Sequence, residues 1–121
     1  MKIRLKVENR ELTATLDDSE ASRDFASLLP LTLTMNDLFQ QEKYARLPRA
    51  ISEKGKRTHA YAAGEIAYWP PGPDLAIYYR DGKGIPDPGV VVLGKLDAGA
   101  EALDVPGSVR VTIEPVKQKE G

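Results

Sequence analysis

No cysteine occurs among the 121 residues, and histidine and tryptophan occur once each, as His59 and Trp69. Without cysteine the chain has no disulfide framework, no thiolate nucleophile and no thiolate-ligated zinc. A single histidine excludes a multi-histidine metal centre and makes any Ser-His-Asp triad hinge on His59 alone. Neither a metal nor another cofactor is expected. A charge surplus is also missing, since 17 Lys and Arg against 18 Asp and Glu leave a net charge of −1. That is far from the basic balance that phosphate-backbone binding needs, so no nucleic-acid partner is expected. Lys54, Lys56 and Arg57, the basic residues around Gly55, read as a solvated loop. No apolar run is long enough to cross a membrane, and the opening MKIRLKVENREL lacks the apolar stretch of a signal peptide. The expectation is a cytoplasmic chain with no membrane contact.

What the chain does hold is enough apolar material to fold. Leu, Ile, Val and Phe make up about a quarter of it, above the level at which a chain stays disordered. The length suits one domain, placed here at residues 1–116, with 117–121 as a solvated tail. Ile3, Leu5 and Val7 alternate with Lys2, Arg4 and Lys6, and Leu12, Ala14 and Leu16 resume the alternation after Glu8-Asn9-Arg10. This is an antiparallel hairpin. Asp17-Asp18-Ser19 offers helix caps, and Ala21, Phe25, Leu28 and Leu29 recur at helical spacing until Pro30 ends the helix. Leu31, Leu33 and Met35 give a third strand.

Residues 37–63 are less regular. The segment from Asp37 to Tyr44 fits a helical turn or a tight loop, and Pro48, Gly55 and Gly64 interrupt each pattern, which predicts mostly loop with short strands. Glu65-Ile66-Ala67-Tyr68-Trp69 and Leu75-Ala76-Ile77-Tyr78-Tyr79 are strands that pair across Pro70-Pro71-Gly72-Pro73. In the second of them Tyr78 must face opposite to Tyr79, so only one of the two points inward. Val90 to Leu96 opens with an unbroken apolar run that suits a doubly buried strand. Asp97 to Leu103 reads as a short helix and Ser108 to Ile113 as the last strand. Many short strands with few helices predict a mainly β fold, a small closed antiparallel β-barrel with one or two short helices.

The stretch Val91-Val92-Leu93-Gly94-Lys95-Leu96-Asp97-Ala98-Gly99 resembles the cyclophilin pattern: two valines, a large apolar residue, Gly, Lys, an aliphatic, a two-residue gap, Gly and a short helix. Gly64-Glu65-Ile66-Ala67-Tyr68, then Gly72-Pro73 and the aromatic strand through Tyr78-Tyr79, resemble a second cyclophilin segment in the same order. Phe25 and Leu28 on the first helix agree with the family as well. Tyr68-Trp69-Pro70-Pro71-Gly72 together with Gln41-Glu42-Lys43-Tyr44 is similar to the small prokaryotic cyclophilin-like group of unassigned function. The resemblance implies a cyclophilin-type barrel and raises peptidyl-prolyl isomerisation as an activity.

Isomerisation must overcome an amide barrier of about 18–20 kcal/mol. It calls for a cation aimed at the imide and an apolar seat for the proline ring. The family's His-Arg dipeptide and Gln-Gly-Gly-Asp turn are absent. His59 lies between Thr58 and Ala60, and Arg57 lacks the context. By the resemblance Tyr78 falls on the pocket Phe, Ala76 replaces a pocket Gln, and Val90 and Ile85 lie near the pocket His and Trp positions. The fold is kept and most of the catalytic set is not. Asp17-Asp18 reads as helix caps rather than a carboxylate pair, and Gly82 and Gly84 mark a turn.

The remaining candidate is aromatic: Tyr61, Trp69, Pro71 and Tyr78 as a groove for a peptide or small apolar ligand, with barrel core as the plainer reading of the same residues. The function expected is therefore non-catalytic or divergent binding in an aromatic groove. The alternatives are weak prolyl cis-trans isomerisation, and a structural or interaction module that docks a partner through the Trp69-Pro70-Pro71 loop.

Overall fold

The computed structural model describes residues 1–117. Of the tail expected at 117–121, only Lys117 lies within the described residues, and it is exposed. In chain order the elements are β1 (Lys2–Val7), β2 (Arg10–Leu16), α1 (Glu20–Ala26), β3 (Leu31–Leu38), β4 (Glu42–Arg46), β5 (Lys56–Thr58) and β6 (Ala60–Tyr61). They continue with β7 (Glu65–Trp69), β8 (Asp74–Tyr78), β9 (Gly82–Lys83), β10 (Val90–Leu96), a 3-10 turn (Ala100–Leu103) and β11 (Val109–Pro115). Hydrogen bonding runs β2-β1-β11-β3-β4-β8-β7-β10, and β10 returns to β2, so eight strands close into a barrel with antiparallel neighbours throughout. β5 adds to the outside of β10, and β6 pairs with β9 in a separate two-stranded ribbon. The mainly β closed barrel expected from the alternation is the fold observed.

Period-two alternation divides the barrel wall into two faces. Ile3, Leu5 and Val7 of β1, Leu12, Ala14 and Leu16 of β2, and Val91 and Leu93 of β10 all enter one internal core. Gly94 lets the barrel close. It pairs with Leu16 at the β10–β2 seam, where the register of β10 against β7 also shifts between Val92 and Gly94. A Cβ there would overlap the Thr15 carbonyl oxygen and press on the Leu16 backbone, so only a residue without one lets the two strands approach this closely.

Helix α1 is capped by Ser19, whose Oγ accepts from the Ser22 backbone N–H at 3.0 Å. Ala21 and Phe25 join the barrel core, and the Ser22 hydroxyl donates to the Leu93 carbonyl at 2.7 Å, fastening the helix to β10. The helix is shorter than its apolar spacing implies. It ends at Ala26, and Leu28 and Leu29 lie in a tight turn whose N–H groups bond three residues back, to Phe25 and Ala26. Pro30 disfavours helical backbone in the residue before it, and the Ser27 hydroxyl donates to the Asp24 carbonyl at 2.6 Å, so the last turn tightens early.

Within 37–63, expected as mostly loop with short strands, the reading of Asp37 to Tyr44 as a helical turn or a tight loop is corrected: only 39–41 form a turn, β3 runs through Leu38, and Glu42–Arg46 forms β4, a strand of the barrel wall. The reason for the miss is Lys43. It occupies an inward position with 0% exposure. Its ammonium donates to the Val105 and Gly107 carbonyls, each at 2.6 Å, and to Asp37 Oδ1 at 3.0 Å. A charged residue at a core position hides the alternation that marks a strand, and three oxygens make its burial tolerable. The short helix expected over Asp97 to Leu103 is only the 3-10 turn Ala100–Leu103. Asp97 instead caps the strand surface, accepting from Lys2, Thr13 and Thr15 at 2.6–2.8 Å, which holds its carboxyl down at about 2.

Candidate functional site

Strands β4, β8 and β7 lie side by side, and their outward faces build one surface. Leu75 and Ile77 of β8, and Tyr79 just after it, turn into the barrel core, while Ala76 and Tyr78 turn to the outer face and join a second cluster with Ala67, Val90, Tyr44, Tyr61, Trp69 and Ile85. The pairing of Tyr44 with Ala76 and of Ala67 with Ala76 puts two small side chains at the centre of this face. Small residues flanked by aromatics leave a hollow. A cavity of about 500 Å³ opens there, with Tyr44, Tyr61, Trp69 and Tyr78 in its walls.

The β6–β9 ribbon forms one side of the cavity. Tyr61 stacks on Tyr78 with ring centroids 3.9 Å apart and 16° between planes. Its cross-strand partner is Gly82, where a Cβ would overlap the Tyr61 ring. Glycine at 82 thus clears the space in which Tyr61 lies flat against Tyr78. At the rim, Phe39 is 85% exposed and stands in the left-handed backbone region (φ 55), as does Gln40 (φ 56). A bulky residue rarely adopts that conformation, and here it leaves a large apolar ring at the mouth of the cavity.

Three of the four residues singled out from the sequence, Tyr61, Trp69 and Tyr78, line this cavity; Pro71 is exposed and lies outside the lining. Trp69 is half-buried, packed against the second cluster. Of the paired tyrosines, Tyr79 is the inward one, and its hydroxyl donates to Asp37 beside Lys43. Arg57 stands elsewhere, held by Glu53 at 2.7 Å and by the Pro88 carbonyl at 3.1 Å, and His59 pairs with Asp87 at 2.9 Å.

Two lining carboxylates, Glu42 and Asp74, were not legible as such in the sequence, and neither were the lining aromatics Phe39 and Tyr44. Glu42 sits across from Tyr78 and Asp74 across from Arg46 on the β4–β8 ladder. Desolvation, then the carboxylates of Asp74 and Asp37, push the Glu42 carboxyl up to about 7. Burial raises Asp74 as well, against the opposing pull of Arg46. Burial and the charge on Glu42 also raise the phenols of Tyr61 and Tyr78. Among the described residues Glu42 has no ion-pair partner within 4.0 Å, and the one lysine in the lining, Lys83, is exposed and bridges neither carboxylate. The signal that would have found them is strand register: with Lys43 and Ala45 inward, Glu42, Tyr44 and Arg46 share the outer face.

The family model described as the cyclophilin-like family matches residues 5–114. No curated protein matches the chain. The solution structure of a hypothetical protein from Archaeoglobus fulgidus is similar at a TM-score of 0.70 and 23% identity, over 94% of this chain and 93% of that one. Among the described residues no helix is long and apolar enough to cross a membrane. The family match runs from within β1 to within β11, over nearly the whole closed barrel, and the chain belongs to the cyclophilin-like family.

Proposed function

We propose that the protein binds a small, largely apolar ligand, or a proline-containing peptide segment, in the outer-wall groove without catalysing a reaction on it. The observation that carries this reading is the cavity of about 500 Å³ walled by four aromatic side chains over an alanine floor. Recognition without chemistry draws its energy from aromatic anchors in a desolvated pocket. Prolyl isomerisation is disfavoured by the charge of the lining, whose half-buried ionisable groups are carboxylates where that reaction calls for a cation: Arg57 is tied to Glu53 and Pro88, and Lys83 in the lining is exposed. The packing of Trp69 into the second cluster favours the groove over a docking loop.

Trp69 is the only tryptophan, so its emission reports on this wall alone. Acrylamide is expected to quench it, and some members of a library of small apolar and proline-containing compounds are expected to shift its spectrum, with the shift lost in Tyr78→Ala. A blue-shifted emission that is unquenched and unmoved by every compound would make the cluster plain packing. Strong acceleration in a protease-coupled assay on a Xaa-Pro peptide would restore the isomerase reading.

A further inference from the structure

The second cluster, were it only packing, would have no use for ionisable groups, yet two carboxylates stand in its cavity wall. Glu42 is half-buried, faces Tyr78 across the β4–β8 ladder, and has no cationic partner within 4.0 Å among the described residues. Asp74 stands two ladder positions from Ala76 on the same face, near Trp69 on one side and Arg46 on the other. Burying an unpaired carboxylate against aromatic rings costs free energy in the empty protein. A guest that brings the missing positive charge removes that cost.

The other groups around Glu42 strengthen the same polarity. Tyr44 lies two residues away on its own strand, Tyr61 and Tyr78 stack beside it, and Asp37 and Asp74 add negative charge. Among the described residues the positive groups nearby are Arg46, which is exposed and opposite Asp74, Lys83, which is exposed on the ribbon, and Lys43, which is turned into the barrel and paired with Asp37 at 3.0 Å. Aromatic faces carry negative charge density and attract cations that are weakly hydrated. The combination of ring faces and an uncompensated carboxylate therefore favours an ammonium bearing apolar groups over a neutral molecule of the same shape.

We infer that the ligand of the groove is a small organic cation, an alkylated ammonium whose charge rests against Glu42 and whose apolar groups contact Tyr44, Tyr61, Trp69 and Tyr78. This rests on the groove reading above and narrows its ligand class. The volume of about 500 Å³ fits a molecule of modest size. Phe39 at the mouth offers a further ring to the part that remains outside.

The test compares two probes of the same shape, choline and the neutral alcohol in which a tert-butyl group replaces its trimethylammonium. Each is titrated by Trp69 emission and by calorimetry at low ionic strength. Choline is expected to bind about 10-fold or more tightly than the neutral isostere, and Glu42→Gln is expected to bring the two within about 2-fold. Circular dichroism and the melting midpoint establish that the variant is folded, and Asp97→Asn, which removes a carboxylate far from the groove, is expected to leave the ratio unchanged. Equal binding of the two probes by the wild type would overturn the cation inference and leave the groove standing as an apolar site. A choline preference that survives in Glu42→Gln would overturn the role given to that residue. If neither probe binds, the cation inference falls, and the response of Trp69 to the wider library decides the groove separately.

Discussion

Phe25→Ala is expected to lose about 3–5 kcal/mol of folding free energy, and Leu93→Ala about 2–5 kcal/mol. Both side chains are 0% exposed and lie in the same internal core. The site cannot easily collapse around the void. Helix α1 is pinned at its N-terminus by the Ser19 cap and to β10 by the Ser22 bond to the Leu93 carbonyl, so the backbone on either side of the lost ring is held in place. A closed barrel adds to this, because no strand can move inward without opening a seam with its neighbours. Losses of this size approach the whole stability of a small domain, about 5–15 kcal/mol. Guanidinium midpoints interpreted with a common m value measure them. Midpoints unchanged in both variants would mean that the inward faces of α1 and β10 are assigned wrongly.

Glu42→Gln is expected to do the opposite above neutral pH and make the protein more stable. In the unfolded chain this carboxyl titrates near 4.5, and in the fold it is pushed up to about 7 by desolvation and by Asp74 and Asp37. The folded state therefore holds its proton where the unfolded state has lost it. The stability this contributes is complete below about pH 4.5 and is lost as pH rises through about 7. At about 1.4 kcal/mol per pH unit the loss amounts to at most about 3 kcal/mol, since solvent reaching a half-buried carboxylate softens it. Glutamine has no proton to lose, so the stability of the variant relative to wild type should climb between about pH 4 and pH 8 and then level off. The part of the Asp74 shift that comes from burial tilts both proteins in the same direction and cancels in the difference, which leaves Glu42 and its coupling to Asp74. A difference that stays flat across that range would show that Glu42 is solvated like any surface carboxylate. A climbing difference would mark a residue whose charge costs stability in the empty protein, as groups retained for binding do.

Much of the barrel was legible because its strands alternate in the simplest way. In β1, β2 and β11 every second residue is apolar and enters the core, and the polar residues between them face solvent. The Gly94 segment was the most specific signal, and the structure supplies its cause, the close approach of β10 to Thr15 and Leu16. The region between Leu38 and Tyr61 was harder to read. There one of the two inward residues of β4 is Lys43, neutralised by Asp37 and held by two carbonyls from the segment 105–107. No local pattern announces a bond formed with residues more than sixty positions away. The aromatic half of the candidate site was visible as a cluster of tyrosines and one tryptophan within a short span. Its carboxylate half was not, since Glu42 reaches the cavity only through the register of a strand that its own neighbour disguises. Pro71, grouped with the aromatics as part of the loop that follows Trp69, is exposed outside the lining.

The most direct test of the groove as a binding site is a map of ligand-induced amide shifts by NMR, with a fragment set holding neutral apolar and alkylammonium members in equal number. Perturbations should concentrate on Glu42, Tyr44, Tyr61, Trp69, Ala76 and Tyr78, on three strands and a ribbon that are scattered in sequence and adjacent only in the fold. They should be larger for the ammonium members. Shifts confined to the opposite wall of β1 and β2, or no shifts from any fragment, would contradict the assignment of function to this face of the barrel.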